Sequence, residues 1–197
     1  MLKAESRELS IMSNSMQDVM ARAEAIRLVI FDVDGVLTDG GLHFDEAGRE
    51  NKIFHSRDGH GLKMLQKAGV ELAVISGRRT EAVTHRMAGL GVRHLYQGQQ
   101  DKLPAFHELL DRLQVAPGQV AYVGDDVVDL PIMVRVGLAV AVQDAHPLVI
   151  EHAHWRTPHP GGRGAARDVC ELILEAQGKL HEMWQAYLAY PPPRHQV

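Results

Sequence analysis

The sequence predicts an α/β domain built on a doubly wound parallel sheet, and three observations carry that expectation. Short runs at residues 26–31, 72–76, 120–124 and 138–142 are apolar almost throughout, the pattern of strands buried on both faces. Segments with helical character separate them, at 59–68, 80–90, 102–113 and 127–136. Acidic or small polar residues stand directly after several of these runs, where such sheets gather their ligands. Strands alternating with helices give right-handed crossovers, with helices on both faces of the sheet.

Taken in order, residues 1–25 read as a polar helix or arm, with Ile11, Met12, Met16, Val19 and Met20 roughly on one face. The first strand run follows. Residues 42–44 and 50–54, around the turn Asp45-Glu46-Ala47-Gly48, read as a β-hairpin, a flap at about 40–54 close to the first strand's end. Gly69 and Gly91 fall where the helices before them need a residue at positive φ to stop. A weaker strand candidate lies at 94–96. After the glycine-rich stretch Gly161-Gly162-Arg163-Gly164, a helix is expected from 165 to about 188, and Pro191-Pro192-Pro193 cannot continue it. The organisation expected is an arm at 1–25, a domain at 26–178, and a helix end with a tail at 179–197.

Composition excludes several functions. The 197 residues carry 21 Lys+Arg against 25 Asp+Glu, a net charge of −4, so a nucleic-acid partner is not expected. No apolar run reaches the roughly 20 residues that span a bilayer, so no membrane partner is expected either. Cys170 is the single cysteine and cannot form an intrachain disulfide. Residues 1–25 lack the apolar stretch of a secretion signal, and a cytoplasmic location is the expectation.

Chemistry concentrates at the strand ends. Asp32 and Asp34 follow the first run, and Asp125, Asp126 and Asp129 follow the third. Carboxylates crowded beside buried strands are costly unless something positive lies between them, and a hard divalent cation such as Mg²⁺ is the natural neutraliser. Ser76, in Ser76-Gly77-Arg78, offers a hydroxyl and backbone N–H groups at a helix start, an arrangement that suits phosphate. Lys102 opens a helix, the unfavourable end of the dipole for a cation, so an anionic partner accounts for it better. His152, His154 and His159 lack the further ligands of a tetrahedral zinc site, and no Gly-rich nucleotide-binding loop is present.

Together, Asp32-x-Asp34-Gly35-x-Leu37-Thr38, Ser76, Lys102 and Gly124-Asp125-Asp126-x-x-Asp129 resemble the four signature motifs of the haloacid dehalogenase superfamily of phosphohydrolases. The resemblance covers the chain from about 26 to about 178 and implies a Rossmann-like fold with Mg²⁺ as cofactor. It implies Asp32 as nucleophile, forming an aspartyl-phosphate, and Asp34 as general acid and then base. Mg²⁺ would be held by the Asp32 carboxylate, the Asp34 backbone carbonyl and Asp125. Ser76 and Lys102 would bind the phosphoryl oxygens, while Asp126 and Asp129 would orient a metal-bound water or Lys102.

Many members of that superfamily carry a cap domain, and this chain has no room for one. Ser76 lies 42 positions after Asp34, and Asp125 lies 23 after Lys102, spans filled by the flap, helices and one strand. A capless member must exclude water with its flap and with other subunits, so a homo-oligomer is expected, most simply a homotetramer. His55, Ser56, Arg57, Asp58 and Gly59 lead from the flap into a helix, with Lys63 one turn on and Arg78 and Arg86 on the helix after Ser76. With Asp34 and Lys102 they form the expected substrate set, although Lys63 and Arg86 also fit as solvated helix residues. Four cations at the mouth exceed what one phosphate needs, which suggests a carboxylate on the substrate.

The fuller set, including Phe54-x-x-Arg57-Asp58-Gly59, His94-Leu95-Tyr96-Gln97-Gly98, Asp144-Ala145-His146-Pro147 and Gly161-Gly162-Arg163-Gly164-Ala165, resembles the phosphatases of 3-deoxy-D-manno-octulosonate 8-phosphate (KDO 8-phosphate). That implies a small phosphorylated 2-keto sugar acid as substrate, on the route to lipopolysaccharide. It also marks residues 161–164, with Arg163, as the candidate cross-subunit contact. A related nine-carbon, sialic-acid-type phosphate is the alternative substrate. A catalytically silent scaffold would be expected to lack the nucleophile or the lysine, yet Asp32, Asp34, Lys102 and Asp125 are intact.

Overall fold

The computed structural model describes residues 16–189. Its sheet joins β1 (Leu28–Phe31), β4 (Glu71–Ser76), β5 (His94–Gln97), β6 (Val120–Gly124), β7 (Leu138–Ala141) and β8 (Trp155–Arg156). Their order is β5-β4-β1-β6-β7-β8, with every neighbouring pair parallel. β2 (His43–Phe44) and β3 (Glu50–Asn51) pair antiparallel as a separate hairpin, the expected flap with shorter strands. The chain moves outward from β1 through β4 to β5, then returns to β6 on the other side of β1. The order therefore reverses beside β1 and β6, where doubly wound sheets bind their ligands.

Burial explains why the sheet sets so firmly. Leu28, Val29, Ile30 and Phe31 of β1 are at most 1% exposed, and burial of side chains this large contributes about 1.5–3 kcal/mol each. A one-residue slip of β1 would bring Asp32 into the sheet, so the register of Phe31 against Val74 and Val123 is strongly specified. The backbone N–H of Asp32 then donates to Val123 O at 3.1 Å.

The helices are α1 (residues 16–24), α2 (Ser56–Lys67), α3 (Glu81–Leu90), α4 (Leu103–Leu113), α5 (Leu130–Met133), α6 (Pro147–His152), α7 (Ala165–Ala176) and α8 (Leu180–Leu188). Gly69 and Gly91 take φ of +86° and +76°, as the helix ends before them require. Two expectations need correction. The helix expected at 127–136 is a 3₁₀ turn, Val127–Asp129, followed by short α5, because Pro131 at the start of α5 has no N–H to carry an uninterrupted ladder. The helix expected from 165 to 188 breaks at Gly178, whose φ of +67° separates α7 from α8. On α1, Val19 and Met20 of the expected face pack inward together with Ala23, and only Met16 of its described residues is exposed; Ile11 and Met12 lie outside the described residues, as do the prolines at 191–193. Val19 and Ala23 of α1 and Leu180 of α8 join the same hydrophobic cluster as the sheet.

Candidate active site

The strand ends converge. Asp32 follows β1, Asp125 follows β6, Ser76 ends β4, and Lys102 caps the start of α4 beyond β5. Carboxylate oxygens of Asp32, Asp125 and Asp129 all lie within 4.8 Å of one another. Gly35 makes this approach possible: its φ is +82°, and a Cβ there would stand 2.1 Å from Asp125 Oδ2. Lys102 Nζ, on a side chain 3% exposed, lies 3.0 Å from Asp32 Oδ1 and 2.7 Å from Asp129 Oδ1.

The electrostatics follow from burial. Desolvation pushes the Asp125 carboxyl up to about 8, helped by the neighbouring charges of Asp129 and Asp32. Burial also raises Asp32, against the pull of Lys102. For Lys102, burial works to lower its pKa, but attraction by Asp32 and Asp129 outweighs it and the ammonium is held charged above its ordinary value. The phenol of Tyr122 is raised by its burial and by Asp129.

Asp129 is already saturated. Its Oδ1 accepts from Tyr122 OH at 2.6 Å and from Lys102, and its Oδ2 from the backbone N–H groups of Asp125 and Asp126 at 3.0 and 3.3 Å. It holds Lys102 Nζ at 2.7 Å and has little left to give an ion. Asp32 and Asp125 retain that capacity. Two crowded, partly desolvated carboxylates with oxygen-only donors fit a hard divalent cation. Asp126 lines the cleft but does not reach Lys102: its carboxylate accepts from Val127 N at 2.7 Å and caps the 3₁₀ turn. The histidines noted above hold structure: Ala139 N donates to His154 Nδ1 at 2.8 Å, and His159 pairs with Asp168.

Above these residues opens a cleft of about 270 Å³, lined among others by Asp32, Asp34, Ser76, Arg78, Lys102 and Asp125. The backbone N–H of Arg78 donates to Ser76 Oγ at 3.4 Å. The remaining substrate candidates do not line the cleft. Ser56, Arg57 and Lys63 are exposed on α2. Asp58 is 2% exposed, and its carboxylate accepts from the backbone N–H groups of Gly164 and Arg167 at 3.3 and 2.9 Å, so it caps the start of α7. Arg86 packs over Gly59, where a Cβ would meet Nη2 at 2.2 Å, and its guanidinium lies 5.8 Å from the Phe54 ring centroid. His55 Nδ1 and Arg86 Nε are buried there without a hydrogen-bond partner.

Several site residues escaped the sequence reading. Tyr122, a polar-tipped residue inside an apolar run, could have been suspected. Gln99 and Gln100 line the cleft from the loop after β5. Lys52 leaves the flap to bind Asp34 and Glu50. The glycine-rich stretch packs within its own chain: Gly162 N donates to Val36 O at 2.8 Å, and a Cβ on Gly161 would lie 1.7 Å from Gly35 O. Its glycines buttress the loop after β1, and Arg163 pairs in the same chain with Asp39 at 3.2 Å.

Comparison with known proteins agrees with this arrangement. Residues 91–167 match the model of the haloacid dehalogenase-like hydrolases. The chain is 55% identical over 165 residues to the 3-deoxy-D-manno-octulosonate 8-phosphate phosphatase KdsC of Escherichia coli, covering 84% of this chain and 88% of that protein. The crystal structure of the Yersinia pestis phosphatase of that name superposes with a TM-score of 0.82 at 54% identity, over 83% of this chain and 89% of that one. The Moraxella catarrhalis phosphatase, solved with magnesium, phosphate and KDO, superposes with a TM-score of 0.86 at 37% identity, over 87% and 99% of the two chains. The chain belongs to the KDO 8-phosphate phosphatase family of the haloacid dehalogenase-like hydrolases.

Proposed function

We propose that the chain hydrolyses KDO 8-phosphate to KDO and phosphate through an aspartyl-phosphate on Asp32. The observation that carries this reading is the meeting of Asp32, Lys102 and Asp125 at the carboxyl ends of β1 and β6. Mg²⁺, held by the carboxylates of Asp32 and Asp125 and by the Asp34 carbonyl, supplies the positive charge that lets an anionic nucleophile approach an anionic ester. Asp32 attacks phosphorus in line while the ester P–O bond breaks and Asp34 gives its proton to the leaving oxygen. Asp34 then takes a proton from water, which attacks the phosphoryl group and restores the Asp32 carboxylate. Ser76 and Lys102 hold the phosphoryl oxygens throughout, and Asp129 with Tyr122 keeps Lys102 in place.

Copies of the chain assemble as a homo-oligomer, most simply a homotetramer, and complete one another's sites. The cleft of about 270 Å³ is at the small end for binding pockets, so one chain encloses little beyond the phosphate end of an eight-carbon ester. Arg57 and Lys63 stand exposed outside it, and in this reading they serve the substrate carboxylate in a neighbour's site. The flap presents Leu42, Phe44 and Ile53 at 50%, 57% and 64% exposure. Residues 26–178 supply every group in this reading. No helix among the described residues is long and apolar enough to cross a membrane, and we place the enzyme in the cytoplasm.

Phosphate release across sugar phosphates tests the assignment. KDO 8-phosphate should exceed both carboxylate-free sugar phosphates and the nine-carbon 2-keto acid ester by at least about tenfold in kcat/KM, which is about 1.4 kcal/mol of discrimination. Asp32→Asn should lose about 10⁴-fold or more while retaining the parent's assembly. Faster release from the nine-carbon ester would reassign the substrate, and undiminished turnover by Asp32→Asn would remove the nucleophile.

A further inference from the structure

We propose that Lys52, the residue directly after β3, is a positioning residue that holds the Asp34 carboxyl in the orientation from which it protonates the leaving oxygen. Its role rests on the reading of Asp34 as general acid and deepens it. The Lys52 side chain turns inward with its neighbour Glu50: it is 1% exposed and Glu50 11%, beside Arg49 at 80% and Ile53 at 64%. An ammonium is withdrawn from water only where acceptors and a countercharge surround it, and here Asp34 Oδ1 accepts from it and, at 2.7 Å, so does Glu50 Oε1. Glu50 Oε2 accepts in turn from Arg78 Nη2 at 3.0 Å. The charges form one line, from the turn after Ser76, through the flap, to Asp34.

The contact sorts the two carboxyl oxygens. A free aspartate turns readily about its terminal torsion, whose preference is broad and roughly two-fold. Lys52 engages Oδ1, and among the described residues no side-chain donor engages Oδ2. One oxygen is anchored to the flap and the other is left to carry the proton. In the first step the bond from Asp32 Oδ to phosphorus forms and the ester P–O bond breaks. The departing electron pair stays on the leaving oxygen, which takes the proton from Asp34 Oδ2.

Two esters separate positioning from mere support. KDO 8-phosphate releases an alkoxide that needs a proton, whereas p-nitrophenyl phosphate releases a phenolate that leaves without one. Lys52→Met should lose about a hundredfold in kcat on KDO 8-phosphate and about tenfold less than that on p-nitrophenyl phosphate, with KM changed less than kcat. Lys52→Arg should recover most of the rate on KDO 8-phosphate. Because Met leaves Asp34 and Glu50 without their cation, the double variant Glu50→Gln/Lys52→Met is measured beside it, with melting curves for both, and the selective loss should persist. Equal losses on both esters in both variants, or a loss confined to KM, would overturn the role of Lys52. Asp34→Asn is the separate control: parent-like hydrolysis of KDO 8-phosphate by that variant would overturn the assignment of Asp34 itself.

Discussion

Two lysines sit in the site in similar company and in different mechanical settings. Lys102 lies between Asp32 and Asp129 on the floor of the cleft, and Lys52 lies between Asp34 and Glu50 under its roof. The floor is built from β6 and the start of α4, with Asp129 fully buried and Tyr122 tied into the same network. The roof hangs from two-residue strands in which His43, Phe44 and Asn51 are exposed. Each cation neutralises one of the two motif aspartates, yet only the floor is anchored by the core. The comparison teaches that charge beside Asp32 is fixed by folding of the sheet, whereas charge beside Asp34 arrives with the flap.

The sharpest way to break the comparison is at Asp129. Asp129→Asn leaves a buried Lys102 with one carboxylate where it had two and disturbs four accepted hydrogen bonds. We expect a loss of about 3 kcal/mol in denaturant unfolding. Glu50→Gln, in the roof, should cost less, about 1 kcal/mol, because the amide oxygen can still accept from Lys52, Asp34 remains its partner, and Arg78 is partly exposed. Equal losses at the two positions would erase the distinction between floor and roof.

A smaller effect sharpens the account of the floor. The Asp125 carboxyl is raised from an ordinary 3.8 to about 8, so the folded protein binds more protons than the unfolded chain between those values. Chelated protein should therefore lose stability as pH rises from about 4 to about 8. Added Mg²⁺, which requires the ionised carboxylate, should restore more stability at pH 8 than at pH 5, and near pH 7 should release about one proton per ion bound. Melting curves with EDTA or Mg²⁺ across pH, and titration calorimetry in two buffers, read these directly; a chelated protein that gains stability over that window would contradict the sign.

The smallest effect on the single chain is expected on the outer surface of the roof. Phe44→Ser with Ile53→Ser removes exposed apolar groups and should change unfolding free energy by less than about 0.5 kcal/mol. Light scattering should nonetheless show a smaller assembly, with turnover of KDO 8-phosphate falling alongside it. An unchanged assembly would move the interface away from the flap.

What the sequence made legible was what period and spacing record. The apolar runs located the central strands within one or two residues, and motif aspartates at their ends located Asp32, Asp125 and Lys102 around one point. What it hid were partnerships between distant residues with no local signature. Asp58 looks like a helix-start anion near the mouth, but it is a cap for α7, more than a hundred positions on. Lys52 is one charge among several on a polar hairpin, and only the folded flap shows that it turns inward. β8 has two residues and α6 has six, too short for a periodic pattern to register.

The buttress beneath the first motif has a temporal consequence. Gly161 and Gly162 lock onto backbone atoms of Gly35, Val36 and Thr38, and Gly161 N is itself fixed by Asp144 at 2.9 Å. During synthesis, β1 and Asp32 emerge more than a hundred residues ahead of the segment that clamps the following loop. A nascent chain can thus begin to build its sheet before the loop after β1 is clamped, and the clamp closes only once residues 161–162 have emerged.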